Sequence, residues 1–198
     1  MVKDLAMKPF QSSFLSCEKD AEIILRKLFI ESRPYSDDLK RLLVINTSDC
    51  LDDKTNPIYL KKLEEMSLPQ LINQNYIRLS PKIEHGEHEE IKNYIIVTFN
   101  NFTYNATNPQ FRDNTVTFDI LCHLDTWNLK NYCQRPVKIA GYIDGILNNS
   151  RLTGIGTFQF VNCKEILYDG DENWAGYSLM YLAIHGSDDE LPESDKIV

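Results

Sequence analysis

Two histidines, His85 and His88, lie two residues apart in the acidic run Glu84-His85-Gly86-Glu87-His88-Glu89-Glu90. Imidazole with carboxylate is a reasonable donor set for zinc or manganese. The spacing is not that of HExxH, in which one helix face aims both imidazoles at a single ion, and Gly86 following Pro81 places the run in a turn. It reads first as an exposed polar loop and only second as a metal site. Asp119, Asp125, Glu165 and Asp169 are the other carboxylates that could gather around an ion, but none belongs to the Asp…Glu-x-Lys spacing of metal-dependent nucleases. His123 follows Cys122 in a strand-like stretch, so their side chains leave opposite faces and cannot pair as base and nucleophile. There is neither a GxSxG elbow nor a GxxxxGK[ST] loop, and Gly154 and Gly156 follow a helix rather than preceding one. The residues point to a non-enzyme that needs no cofactor or metal.

The elements that would position these groups follow from periodicity. Ala21, Ile24, Leu25, Leu28 and Phe29 recur at helical spacing behind a Ser16 cap, and Pro34 ends the run. A second helix starts near Ser36, with Asp37 and Asp38 in its positive first turn, and a third opens at Asn56-Pro57. Beyond Pro69 the period becomes two: strands are expected at 76–79, 91–99, 115–125, 156–161, 164–168 and 174–185. Between the third and fourth of these, Arg135-Pro136 opens a helix with the stripe Ile139, Ala140, Ile143, Ile146, Leu147, closed by Asn148-Asn149. The expected fold class is α+β: an antiparallel sheet with helices mainly on one face, a helical front third over 16–67, and sheet plus helix over 76–185.

With 198 residues the chain is long enough for one domain with a substantial core, here 1–185, followed by an acidic tail over 186–198. The tail holds Asp188, Asp189, Glu190, Glu193 and Asp195 against Lys196, and it reads as mobile. Overall, 29 acidic against 21 basic residues give a net charge of -8, which argues against binding nucleic acid phosphates. Five cysteines without CxxC spacing fit thiols in a reducing compartment. No apolar stretch approaches the length of a membrane span, and Asp4, Lys8 and Pro9 interrupt any signal-peptide core, so an intracellular protein without membrane contact is expected.

One connection is unusually long. Asn100 to Asn114 separates two strong strands and carries Phe102, Tyr104, Phe111 and Arg112 among asparagines, the composition of a contact loop. From Arg112 onward the chain also resembles a known family. Arg112-Asp113-Asn114-Thr115-Val116-Thr117-Phe118-Asp119-Ile120 with Trp127, then Arg135-Pro136 opening a helix, then Gly154-Ile155-Gly156-Thr157-Phe158 and a last strand, is similar to tail-completion and head-to-tail joining proteins of tailed double-stranded DNA phages. The helical front departs from that family's minimal pattern. The resemblance implies a structural virion protein assembled in the host cytoplasm. It would form a ring, hexameric or larger, that contacts neck, portal or tail proteins and lets DNA pass without specific binding. Phe102, Tyr104, Phe111 and Arg112 would then serve the interface, and Glu84, Glu87, Glu89 and Glu90 an acidic channel wall. A metal-dependent nuclease or hydrolase built on His85 and His88, and an intracellular adaptor using the acidic tail, are the alternatives.

Overall fold

The computed structural model of the protein describes residues 13–52, 56–80, 91–104, 112–152, 155–167 and 173–184. Among the described residues four helices make the front; the expected caps Ser16 and Ser36 instead lie inside the first two, and the second begins after Pro34 with no side-chain cap. Helix α1 (Ser13–Arg26) runs into a π-helical turn (Lys27–Glu31) that buries Leu28 and Phe29. Helix α2 (Tyr35–Val44) places Asp37 and Asp38 at its positive end and buries Leu39, Leu42, Leu43 and Val44. Helix α3 (Pro57–Glu64) is capped by Asn56, whose Oδ1 accepts from the Ile58 N–H at 3.0 Å. Helix α4 (Leu68–Asn73) extends helical structure beyond Pro69, where strands were expected to begin. Ser67 and Gln70 form a capping box, with the Gln70 side chain accepting from the Ser67 N–H at 2.8 Å, and a proline in the first turn costs no hydrogen bond.

Among the described residues the rest is a six-stranded sheet and one further helix packed on it. Strands β1 (Ile77–Arg78), β2 (Asn93–Tyr104) and β3 (Arg112–His123) come first. Helix α5 (Arg135–Leu147) then precedes β4 (Arg151–Leu152), β5 (Gly156–Leu167) and β6 (Trp174–Ile184). The sheet order is β1-β2-β3-β6-β5-β4. All neighbours pair antiparallel except β1 and β2, whose two-residue parallel contact departs from the expected wholly antiparallel sheet. The class is α+β, as expected.

Two boundaries differ from the expected ones for one physical reason. The ladder between β2 and β3 shifts register between Asn100 and Thr103, where Asn101 adopts φ 50°. Likewise β5 shifts between Phe160 and Asn162, so the two strands expected at 156–161 and 164–168 are one. A bulge inserts one residue and flips the side-chain alternation, which destroys the period-two signal while the hydrogen-bonded strand continues. Asparagine tolerates the left-handed backbone this needs, and Asn75, Asn131 and Asn149 also hold positive φ. At these four positions asparagine serves the backbone turn.

The main core lies between the helices and one sheet face. Ile24, Leu28, Leu39, Leu42, Ile139 and Ile143 meet Ile95, Val97, Phe118, Ile120, Leu179 and Tyr181 there. The opposite face carries a second cluster of Tyr94, Ile96, Leu121 and Trp174, so both faces of β2 and β3 are buried at this end. His123, adjacent to Cys122 in the strand, belongs to the second side: its ring packs edge-on against Trp174 at 5.2 Å, and its Nδ1 accepts from the Asp125 N–H at 3.2 Å. Cys122 points into the main core. His123 is a packed residue that caps the turn after β3. The acidic tail at 186–198 and the turn at 169–171 lie outside the described residues.

Candidate interaction cleft

Helices α2 and α5 lie side by side, and Arg135 ties them together. Its side chain is fully buried, with Nη1 donating to the carbonyls of Leu42 at 2.6 Å and Ile45 at 2.9 Å, Nη2 to Thr47 at 2.8 Å, and Nε to Thr126 at 2.7 Å. Lys62 Nζ donates to the Val44 carbonyl at 2.8 Å. Two cations thus close the negative end of α2, where four carbonyls lack helical partners. Across the same seam the Tyr142 hydroxyl donates to Asp38 Oδ2 at 3.2 Å, and beneath α5 the buried Tyr181 hydroxyl donates to Asp144 Oδ1 at 2.8 Å. Burial above all, with the charge of Asp38, pushes the Tyr142 phenol up to about 12, so it remains a neutral donor.

With α5 fixed from below, its outer face forms the wall of a cleft of about 670 Å³ between Tyr35 and the turn Lys130–Tyr132. Val137, Gly141 and Gly145 succeed one another every four residues along that wall. A methyl group added at Gly141 or Gly145 would meet nothing within 4 Å. Glycine in a helix interior costs about 1 kcal/mol relative to alanine, and nothing among the described residues requires either glycine for space. The far wall is aromatic. Tyr35 and Tyr142 meet as tilted rings 5.8 Å apart, and Tyr132, held at φ 60° next to Asn131 at φ 61°, projects wholly into solvent. Lys138 stands over the Tyr142 ring at 5.4 Å and is the one charged group among the described residues lining the cleft. Bare helix backbone flanked by aromatic side chains is a surface for packing another element, with apolar contact as its driving force.

The residues singled out by sequence fall elsewhere. Phe102 and Tyr104 lie in β2 and Arg112 opens β3, with Tyr104 and Arg112 as directly paired ladder positions. The expected loop from Asn100 to Asn114 is corrected accordingly: both strands run into it, leaving 105–111 as the connection. Phe111, Glu84, Glu87, Glu89 and Glu90, together with His85 and His88, lie outside the described residues. Asp119 accepts from Ser178 Oγ at 2.5 Å, and among the described residues no group of three or more His, Cys, Asp or Glu could hold a metal ion. No helix among them is long and apolar enough to cross a membrane. The cleft itself was missed, although a signal existed: Gly-x-x-x-Gly on the side of α5 away from the Ile139, Ile143, Ile146 stripe.

The stretch that forms this architecture, residues 36–183 from α2 through β6, matches the model of the YomW family, and the chain belongs to that family. The family's name is phage-derived and points to a phage-associated protein. No curated protein matches the chain.

Proposed function

We propose that the chain is a structural subunit of a tailed phage, closing into a ring at the neck or tail end that joins connector to tail around the DNA channel. The observation that carries this is the α5 wall, where Gly141 and Gly145 lay the helix backbone open beside exposed Tyr35 and Tyr132. Two helix-destabilising glycines without a packing role among the described residues make sense if a neighbouring chain packs against them. A ring needs one patch that fits a different patch on the next copy, and a cleft of this shape can serve as the receiving half. The chemistry supports assembly over catalysis: Lys138 is the only charge lining the cleft among the described residues, and the Tyr142 phenol stays protonated. A net charge of -8 suits a channel through which DNA must slide without sticking.

The test is made on the parent particle. Purified virions are expected to contain the chain in a fixed copy number, and disrupting its gene to leave separate heads and tails. Joined, infectious particles lacking the chain would contradict the proposal.

A further inference from the structure

Strand β5 ends the sheet with most of its outer edge open. Its inner side pairs with β6 along its length, but β4 pairs only with Gly156 and Thr157. The turn after α5 covers the next positions: Asn149 N–H donates to the Phe158 carbonyl at 2.9 Å, Phe158 N–H to Ser150 at 3.0 Å, and Phe160 N–H to Asn148 Oδ1 at 3.3 Å. Among the described residues, no strand pairs with the outer edge from Val161 to Leu167. This stretch is largely exposed as well, with Val161 49% and Leu167 68% exposed and Cys163, Lys164 and Glu165 exposed between them, while Ile166 packs against the second cluster. A long unpaired edge flanked by apolar side chains is a template for another strand.

We infer that this edge pairs with the same edge of a second copy of the chain, the two β5 strands running antiparallel about a two-fold axis at Cys163. The ladder registers favour a copy's β5 over its other open edge, β2. Through the sheet, Cys163 is level with Leu179, Phe118 and Val97, and Leu167 with Ala175, Cys122 and Asn93. The part of β2 beside the open stretch of β5 therefore includes Ile95 and Ile96, which already carry β1. Side-by-side joining of β5 to a neighbour's β2 is blocked there, whereas self-pairing of β5 is not.

Charge narrows the register, and the cover at Phe160, whose N–H is already bonded to Asn148, disfavours an axis at Asn162. A two-fold axis perpendicular to the sheet keeps each residue on its own face, so a residue on the axis meets its own copy. An axis at Lys164 or Glu165 would place like charges directly opposite, which is destabilising. An axis at Cys163 sets Lys164 opposite Asn162 of the copy and Glu165 opposite Val161. Such an isologous contact cannot by itself close a ring, so this inference does not rest on the neck reading and holds or fails for the free protein.

The experiment uses the full chain with Cys17 and Cys133 replaced by serine. Sedimentation should give a monomer–dimer equilibrium, and a short bis-maleimide should link two chains through Cys163. Asn162→Lys faces Lys164 of the copy twice per dimer and should weaken the dimer by roughly three- to thirty-fold, while Asn162→Glu should tighten it by a similar factor. Circular dichroism of both variants should match the parent. A chain that stays monomeric, a dimer with no Cys163 link, or two Asn162 variants that shift the equilibrium in the same direction or not at all would overturn the inference.

Discussion

The guanidinium of Arg135 meets the carbonyl of Leu42 at 2.6 Å across 93 residues of chain. That contact, with its companions to Ile45, Thr47 and Thr126, joins the helical front to the sheet half of the molecule. An unpaired buried carbonyl costs about 1–3 kcal/mol, and Arg135→Met would leave two of them, Ile45 and Thr126, since Leu42 keeps its bond from Asn93 Nδ2 at 3.4 Å and Thr47 is exposed. Chemical denaturation of Arg135→Met is expected to show a loss of at least about 2 kcal/mol on that basis. Arg135→Lys should recover only part, because an ammonium lacks the planar fork that reaches several acceptors at once.

The bond from Tyr181 to Asp144 makes a second tie, between β6 and α5. Burial, first of all, and the bond to Asp144 push the Tyr181 phenol far above its usual range, so it donates at every pH at which the protein is folded. Tyr181→Phe keeps the ring contact with Phe118, 5.8 Å away, and removes the hydroxyl alone. Thermal or urea unfolding should register a loss of about 1–3 kcal/mol, as for a hydrogen bond to a charged group.

Asp20 gives the fold a pH dependence. It is buried in α1, and desolvation raises its carboxyl from 3.8 to about 6. Between these values the folded chain holds a proton that the unfolded chain has lost, so this group's contribution to stability falls as pH rises from about 4 to about 6 and is flat above. In urea titrations Asp20→Asn should reduce that slope and gain about 3 kcal/mol at pH 7 relative to the parent, because each tenfold change in proton affinity on folding is worth roughly 1.4 kcal/mol.

Thiol reactivity should divide by place in the fold. Cys122 is enclosed in the main core and pushed up to about 12 by burial, and burial raises Cys50 too, against the opposing pull of Arg135. Cys133 and Cys163 are exposed. Alkylation at pH 8 followed by peptide mapping should modify Cys133 and Cys163 in the native protein, and Cys50 and Cys122 only after unfolding.

Most of the fold was legible because short-range physics dictates it. The apolar stripe of α5, the Arg135-Pro136 start and the Asn148-Asn149 stop are local patterns, and each appears where expected. The alternation in β3 was equally clear, since both of its neighbours pair in unbroken register around Phe118. What escaped was non-local or concealed by a bulge. Asn101 and Val161 each break the alternation without breaking the strand, so one connection looked too long and one strand looked like two. Arg135 carried no hint of burial, because its acceptors come from turns that only the folded chain brings near. The expected interface residues Phe102, Tyr104 and Arg112 were read as loop for the same reason, whereas the cleft depends on which side of α5 faces out.

Gly141 and Gly145 separate folding from assembly. Alanine at both positions should stabilise the isolated chain, by up to about 1 kcal/mol per site from helix propensity, since a methyl group meets nothing within 4 Å at either position. Leucine at both should fold as well but fill the cleft.

Molar mass by light scattering, run in parallel on the parent and on the Gly141→Leu/Gly145→Leu variant with the connector or tail fraction present, tests the assembly account most directly. The account predicts a ring-sized species for the parent and a folded, unassembled variant. A parent that never assembles, or a variant that assembles as well as the parent, would contradict it.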